Sequence, residues 1–293
     1  MLKGSMTALI TPFGKDGSLD NNGLEKLVNF QVRSGTDVVL ACGTTGESAT
    51  LNHEEHLKVL EIVKKRTKGT KTKVMFGAAS NDTKKAVEAT KIAKENDAEY
   101  VLSLSPYYNK PTQAGIYNHY KEINRVGVPV VVYNVPGRTS SNIEADTVLK
   151  LAKLKNIAAV KEASGNLTQI ANIIKGAPKG FSVLSGDDGL TYPMMSMGAH
   201  GLISVASNIA PKEMSKMVHA LMKKDHKKAL KTHFKFMPLF RDLFIETNPQ
   251  PVKTAARMLK LPAGPFRSPL VEMQKNNQAI LRRTLKEVGL LKK

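Results

Sequence analysis

Ile157-Ala158-Ala159-Val160-Lys161-Glu162-Ala163-Ser164-Gly165 is a short apolar run that stops on a lysine and then turns. Apolar residues bounded by polar ones and a glycine form the pattern of a strand buried on both faces. Lys161 then stands at the C-terminal end of that strand. An ammonium there is partly removed from water, which lowers its pKa and leaves free amine near neutral pH to attack a carbonyl. A lysine that merely snorkels off a strand end would leave the same trace, so the flanking sequence has to decide.

Working outward, apolar runs of the same kind recur at Ser5 to Thr11, Asp37 to Ala41, Lys73 to Ala78, Tyr100 to Leu104, Pro129 to Tyr133, Phe181 to Leu184 and Gly201 to Val205. Between them, segments such as Leu24 to Arg33, His53 to Lys65, Asp82 to Glu95, Ala145 to Leu154 and Leu167 to Ile174 carry apolar residues at helical spacing. With Ile157 to Lys161 the strands number eight. Eight alternations with near-continuous apolar strands predict an α/β chain folded as a (β/α)8 (TIM) barrel. Asn52, with Glu55 three residues on, reads as a capping box, and Asn81 or Asp82 can cap the next helix.

After about Lys224 the strands stop, and Asp225 to Phe244, Pro251 to Leu259 and Val271 to Val288 read as helices. The expected organisation is a barrel over residues 1–224 followed by a C-terminal α-helical domain over 225–293. At 41% hydrophobic and 24% charged, the chain has the composition of a folded globular protein. One cysteine, Cys42, rules out an internal disulfide and a four-cysteine metal site, which fits a reducing compartment and makes the cytoplasm the expected location. No run approaches the ~20 apolar residues of a membrane span, and the N-terminus lacks the apolar core of a signal peptide.

The formal charge of +19 raises the alternative of a nucleic-acid-binding protein. Its basic pairs are scattered over helix-like segments, with no basic tail or zinc-finger spacing, which argues for solvated faces. No phosphate loop, dinucleotide fingerprint or G-x-S-x-G elbow is present. His53-Glu54-Glu55-His56 spaces its histidines three apart, where H-E-x-x-H needs four, so no metal is expected.

In a barrel of this kind the active site is assembled at the C-terminal ends of the strands. Those ends are polar here. Strand two runs into Gly43-Thr44-Thr45-Gly46-Glu47-Ser48, whose glycines let backbone N–H groups approach an anion. Strand four runs into Ser105-Pro106-Tyr107-Tyr108-Asn109, and strand five into Tyr133-Asn134-Val135-Pro136-Gly137-Arg138-Thr139. Arg138 offers a planar fork for a carboxylate, and Tyr133 can pass a proton if a hydroxyl such as that of Thr44 supports it. Strand seven ends in Ser185-Gly186-Asp187-Asp188, whose aspartates could be metal ligands or helix caps and, with no further carboxylate motif nearby, read better as caps, and strand eight in Ser204-Val205-Ala206-Ser207-Asn208.

Together these motifs, with Leu9-Ile10-Thr11-Pro12-Phe13, Leu51-Asn52-His53, Val160-Lys161-Glu162-Ala163, Gly201-Leu202-Ile203-Ser204 and Asn248-Pro249, resemble the dihydrodipicolinate synthase family of the class I pyruvate-dependent aldolases and lyases. The lysine and the Gly-x-Thr-Gly-Glu loop alone leave N-acetylneuraminate lyase or a sugar-acid aldolase open. The paired Thr44 and Thr45, and Arg138 after Val135-Pro136-Gly137, favour the synthases.

The resemblance implies condensation of pyruvate with L-aspartate-4-semialdehyde to 4-hydroxy-tetrahydrodipicolinate, the step that commits carbon to diaminopimelate and lysine. Lys161 would form the Schiff base. Tyr133 would relay protons with Thr44 and with Tyr108, the latter supplied across a subunit interface. Thr45 would bind the pyruvate carboxylate and Arg138 that of the semialdehyde, while Gly186 and Ile203 would offer main-chain contacts. No metal or organic cofactor is implied. A homo-oligomer is, with a tetramer placed ahead of a dimer.

Feedback-inhibited members bind lysine in a pocket whose counterparts here would be Ser48, Ala49, His53, His56, Asn81 and Tyr107. The glutamate of their Asn-x-Thr-x-Glu-Ala pattern is Lys85 in Asn81-Asp82-Thr83-Lys84-Lys85-Ala86. Weak or absent inhibition by lysine is expected.

Overall fold

The structure, a computed structural model, describes residues 1–292. Among the described residues the strands are β1 (Gly4–Ala8), β2 (Val38–Ala41), β3 (Lys73–Gly77), β4 (Tyr100–Leu104), β5 (Val130–Asn134), β6 (Ile157–Glu162), β7 (Ser182–Ser185) and β8 (Gly201–Ser204), closed in chain order into one barrel. The helices are α1 (Asn21–Arg33), α2 (His53–Thr67), α3 (Thr83–Glu95), α4 (Gln113–Asn124), α5 (Pro136–Thr139), α6 (Ala145–Leu151), α7 (Leu167–Gly176), α8 (Thr191–Ser196), α9 (Pro211–Met222), α10 (His226–Asp242), α11 (Gln250–Met258) and α12 (Lys275–Glu287). The expected (β/α)8 barrel with C-terminal helices is therefore the observed fold. By contact the chain groups into two compact units, residues 1–4 with 74–203, and residues 5–73 with those from 204 onward.

In the first unit, neighbouring strands from β3 to β8 pair in parallel, so each chain direction ends on the same side. Val130, Val132, Val160 and Val183 point outward from the strands into a core with Ala86, Ile116, Tyr120, Val148 and Ile173 from the helices. Burial of both strand faces explains why β5 and β6 read as continuous apolar runs. Tyr120 is wholly buried there, and its hydroxyl donates to the Ser103 carbonyl at 2.8 Å.

In the second unit β1 pairs in parallel with β2. The strand expected over Ser5 to Thr11 ends at Ala8. The side chain of Asn208 takes over the backbone beyond it, donating to the Ala8 carbonyl at 2.8 Å and accepting from the Ile10 N–H at 2.9 Å. The C-terminal helices α10 and α12 meet where Thr284 donates to the buried carboxylate of Asp242. The helix expected from Val271 begins at Lys275 instead, because side chains claim the backbone before it. Gln250 donates to the Val271 carbonyl at 2.7 Å, and the Gln274 N–H donates to Glu246 at 3.0 Å.

Local capping follows the sequence closely. Asn52 and Glu55 form the capping box of α2 in both directions, and Asp82, rather than Asn81, caps α3. Asp187 and Asp188 depart from the expected helix caps, since Leu190 holds the N-cap position of α8. Asp187 instead accepts from the Gly189 and Leu190 N–H groups at 2.8 and 3.2 Å, closing the turn before the helix.

Candidate active site

Lys161 is the penultimate residue of β6 and only 5% exposed. Its Cα pairs with that of Tyr133 on β5 and that of Leu184 on β7. The Lys161 Nζ lies over the Tyr133 ring, 4.1 Å from its centre. Burial, reinforced by the guanidinium of Arg138, lowers the amine's pKa to about 7, against a smaller pull upward from Asp188. A large fraction of Lys161 is therefore unprotonated at neutral pH, which is the requirement for a carbonyl-attacking amine. Tyr133 moves the other way. Burial pushes its phenol up to about 12, with Arg138 opposing, so it is a protonated donor in the resting site.

Gly186 follows β7, and its N–H donates to the Glu162 carbonyl at 2.8 Å. A Cβ there would meet Ala163 Cβ at 2.8 Å and Lys161 Cε at 3.0 Å. Glycine at this position thus leaves the room that the Lys161 side chain occupies, a reason beyond the main-chain contact inferred from the family. Ile203 is fully buried on β8, and Arg138 is exposed on α5.

Strand alternation turns Glu162 to the opposite face from Lys161. Its buried carboxylate accepts from Asn134 Nδ2 at 3.1 Å, from the Ser164 N–H at 2.8 Å and from Gln169 Nε2 at 3.2 Å, and burial holds its pKa above the usual carboxylate range. These bonds tie the ends of β5, β6 and α7 together next to the amine. The alternation of β6 alone would have flagged a carboxylate beside an apolar strand, but its partners are 28 and 7 residues away in sequence.

Tyr107 and Tyr108 follow β4, and Tyr108 is 88% exposed with φ at +72°. The Asn81 side chain donates to the Tyr107 carbonyl at 3.2 Å, and Lys85 is exposed on α3.

In the second unit, Thr44, Thr45 and Gly46 form a single 3-10 turn at the end of β2, closed by Glu47 in the left-handed conformation. Thr44 is exposed and Thr45 buried. Asn248 Nδ2 donates to the Thr45 Oγ1 at 3.0 Å, and Lys253 Nζ donates to the Glu47 carboxylate at 2.6 Å. In the sequence Asn248 counts only toward the family resemblance, and Lys253 has no assigned role. The signal for Lys253 was a lone lysine inside the apolar Pro251-Val252-Lys253-Thr254-Ala255-Ala256 of α11.

Ser48 and Ala49 continue the same loop, and His53 and His56 start α2. His56 Nδ1 faces the Asn52 carbonyl at 2.8 Å, while Glu55 is engaged by Arg267. Among the described residues no group of three or more His, Cys, Asp or Glu side chains is arranged to hold a metal ion.

The chain matches the model of the dihydrodipicolinate synthetase family over residues 1–288, and it belongs to that family. It is 48% identical over 292 residues to the 4-hydroxy-tetrahydrodipicolinate synthase of Aquifex aeolicus, covering 99% of each chain. It is also similar to the chloride-inhibited dihydrodipicolinate synthase of Acinetobacter baumannii complexed with pyruvate, with a TM-score of 0.97 and 39% identity over 99% of this chain and 100% of that one. The lysine-bound enzyme of Cyanidioschyzon merolae matches with a TM-score of 0.96 and 40% identity over 99% and 98%.

Proposed function

We propose that Lys161 is the amine through which this chain performs the chemistry of its family. The chain is a lyase that condenses pyruvate with L-aspartate-4-semialdehyde to 4-hydroxy-tetrahydrodipicolinate, at the entry to diaminopimelate and lysine synthesis. The observation that carries the assignment of Lys161 is its burial beside Tyr133, with a pKa near 7.

Free Lys161 attacks the keto carbon of pyruvate, and water leaves as the imine forms. The imine draws electrons from the methyl group, which loses a proton to give an enamine. The enamine carbon then bonds to the aldehyde carbon of the second substrate. Ring closure by that substrate's own amine onto the imine carbon frees Lys161. Tyr133, protonated and adjacent, serves as the proton carrier for these steps, with Thr44 and Tyr108 as the further hydroxyls of the relay. Thr45 binds the pyruvate carboxylate, Arg138 takes that of the semialdehyde in a bidentate grip, and Gly186 and Ile203 supply main-chain contacts.

A homotetramer is proposed with this assignment, and Tyr108 of one copy serves another. Its support is the exposed apolar surface: Leu167 and Met197 in one unit, and Phe234 and Met237 on α10 with Phe244 just beyond it in the other. Among the described residues no helix is long and apolar enough to cross a membrane. A cytoplasmic location is proposed, in keeping with the free, buried Cys42.

Borohydride added with pyruvate tests the assignment. The intact mass should rise by one reduced pyruvate, and Lys161→Ala should abolish the gain. An adduct surviving that substitution overturns the role of Lys161. Cleavage of N-acetylneuraminate with no turnover of the semialdehyde would assign the chain to the lyases instead.

A further inference from the structure

Glu47 and Lys253 are charged, buried and unused by the chemistry above. Lys253 is 0% exposed, and its Nζ donates to Glu47 Oε1 at 2.6 Å and to the Pro265 carbonyl at 2.8 Å while lying 4.5 Å from the centre of the Phe13 ring. The other carboxylate oxygen of Glu47 accepts from the Arg267 N–H at 3.1 Å. Both oxygens are thus pinned from the C-terminal segment.

The backbone of Glu47 is left-handed, at φ 52° and ψ 36°, a conformation that a residue with a Cβ adopts reluctantly. It is the hinge between two consecutive 3-10 turns, its N–H donating to the Thr44 carbonyl and its carbonyl accepting from the Thr50 N–H, each at 3.0 Å. The turn before it is held at two more points. Thr11 Oγ1 donates to the Gly46 carbonyl at 2.7 Å, and Asn248 Nδ2 donates to Thr45 Oγ1 at 3.0 Å. A hydroxyl whose oxygen accepts from an amide keeps its own proton free to donate, which is the polarity a carboxylate ligand requires.

We infer that Lys253 is a positioning residue for the condensation: by anchoring the Glu47 carboxylate it fixes the Thr44–Gly46 turn and so the aim of the Thr45 hydroxyl at the pyruvate carboxylate. Stability alone does not account for the pair. Burying two charges is opposed by desolvation, and a well-packed apolar pair of similar volume is often as stable. What an apolar pair lacks is direction. A carboxylate bonded through both oxygens sets its own torsions and thereby the backbone of a strained hinge, which dispersion contacts would leave free to relax. The inference rests on the proposed role of Thr45 in binding the pyruvate carboxylate.

Lys253→Met and Glu47→Gln, made separately, test it through initial rates with both substrates varied. For Lys253→Met the KM for pyruvate should rise about tenfold or more, while the KM for the semialdehyde and kcat stay within about threefold. The borohydride adduct at Lys161 should still form fully at saturating pyruvate. Glu47→Gln keeps the size and removes the charge, so it should shift the pyruvate KM in the same direction, and it carries the test alone if Lys253→Met does not fold. A folded variant with lowered melting temperature and both KM values unchanged overturns the inference and leaves Lys253 a support of the fold. Thr45→Val separates the two levels. If it leaves the pyruvate KM unchanged, the role of Thr45 fails and the inference with it. If it raises that KM while the other two variants do not, only the inference about Lys253 fails.

Discussion

Tyr133 and Lys161 face each other across adjacent strands, with the amine nitrogen 4.1 Å from the centre of the phenol ring. Two effects on the amine oppose each other there. The ring's quadrupole favours the cation by about 2 kcal/mol in a desolvated setting. Burial, together with the Arg138 cation, disfavours it by more, since the net fall from 10.5 to about 7 corresponds to about 5 kcal/mol at 1.36 kcal/mol per unit. Burial wins, and at neutral pH a large fraction of the pair is a free amine beside a protonated phenol.

The rate of pyruvate imine formation should therefore climb with pH through about 7 and level off above it, because a depressed pKa makes the free amine available from that point upward. Borohydride trapping at a series of pH values checks this. A limb centred near 10 would show that Lys161 titrates as an ordinary surface lysine.

Arg138 lowers the pKa of Lys161 and is proposed to hold the second carboxylate, and one substitution can separate the two. Arg138→Ala should reduce turnover of the semialdehyde by about tenfold to a hundredfold, the range for a lost charge-assisted contact. It also removes a cation that lowers the pKa of Lys161, so the trapping limb should move to higher pH. Turnover unchanged at saturating pyruvate would exclude Arg138 as the second carboxylate's partner.

Tyr108→Phe should slow the condensation by about a hundredfold, the lower range for a lost proton-transfer group, without altering assembly in sedimentation. Unchanged turnover would remove Tyr108 from the relay.

His219 Nε2 meets the Asp37 carboxylate at 2.7 Å, and that hydrogen bond raises the histidine's pKa. The stabilisation is complete below the unfolded pKa of 6.5 and is lost as pH rises through the higher folded value. Both side chains are more than a third exposed, so solvent screening keeps the contribution below about 1 kcal/mol. His219→Gln should lower the melting temperature by about 1–2 °C at pH 6 and by less at pH 9. An equal or larger loss at pH 9 would show that packing, not charge, is what the ring contributes.

Inhibition by lysine should be weak. Lys85 stands where the feedback-inhibited pattern has a glutamate, and two unit charges ~4 Å apart at an effective dielectric of 20 repel by about 4 kcal/mol before side-chain movement and screening relieve it. A dose–response curve should show half-inhibition only well above about 1 mM, the range left when that repulsion opposes a micromolar-class site. Lys85→Glu should increase sensitivity. Sub-millimolar inhibition of the unmodified enzyme would refute the reading.

The sequence by itself determined the alternation of strands and helices, the position of Lys161 at a strand end and the capping of α2. Each is a matter of local period or of spacings of three or four residues, and such patterns survive in one dimension. Strand ends were less legible where a distant side chain supplies the last bond, as Asn208 does for Ala8 and Ile10. The motifs at the strand ends carried the family resemblance because the chemistry proposed for them, a Schiff-base lysine, a phenol and an arginine for a carboxylate, needs particular side chains.

Only the tertiary structure decided that Lys161 is buried against Tyr133, that Gly186 clears its path and that Lys253 holds Glu47 from 206 residues away. The physical reason is that pKa, close packing and buried ion pairing depend on which groups exclude water from one another. That is settled by packing between segments remote in the chain, and neither composition nor periodicity records it.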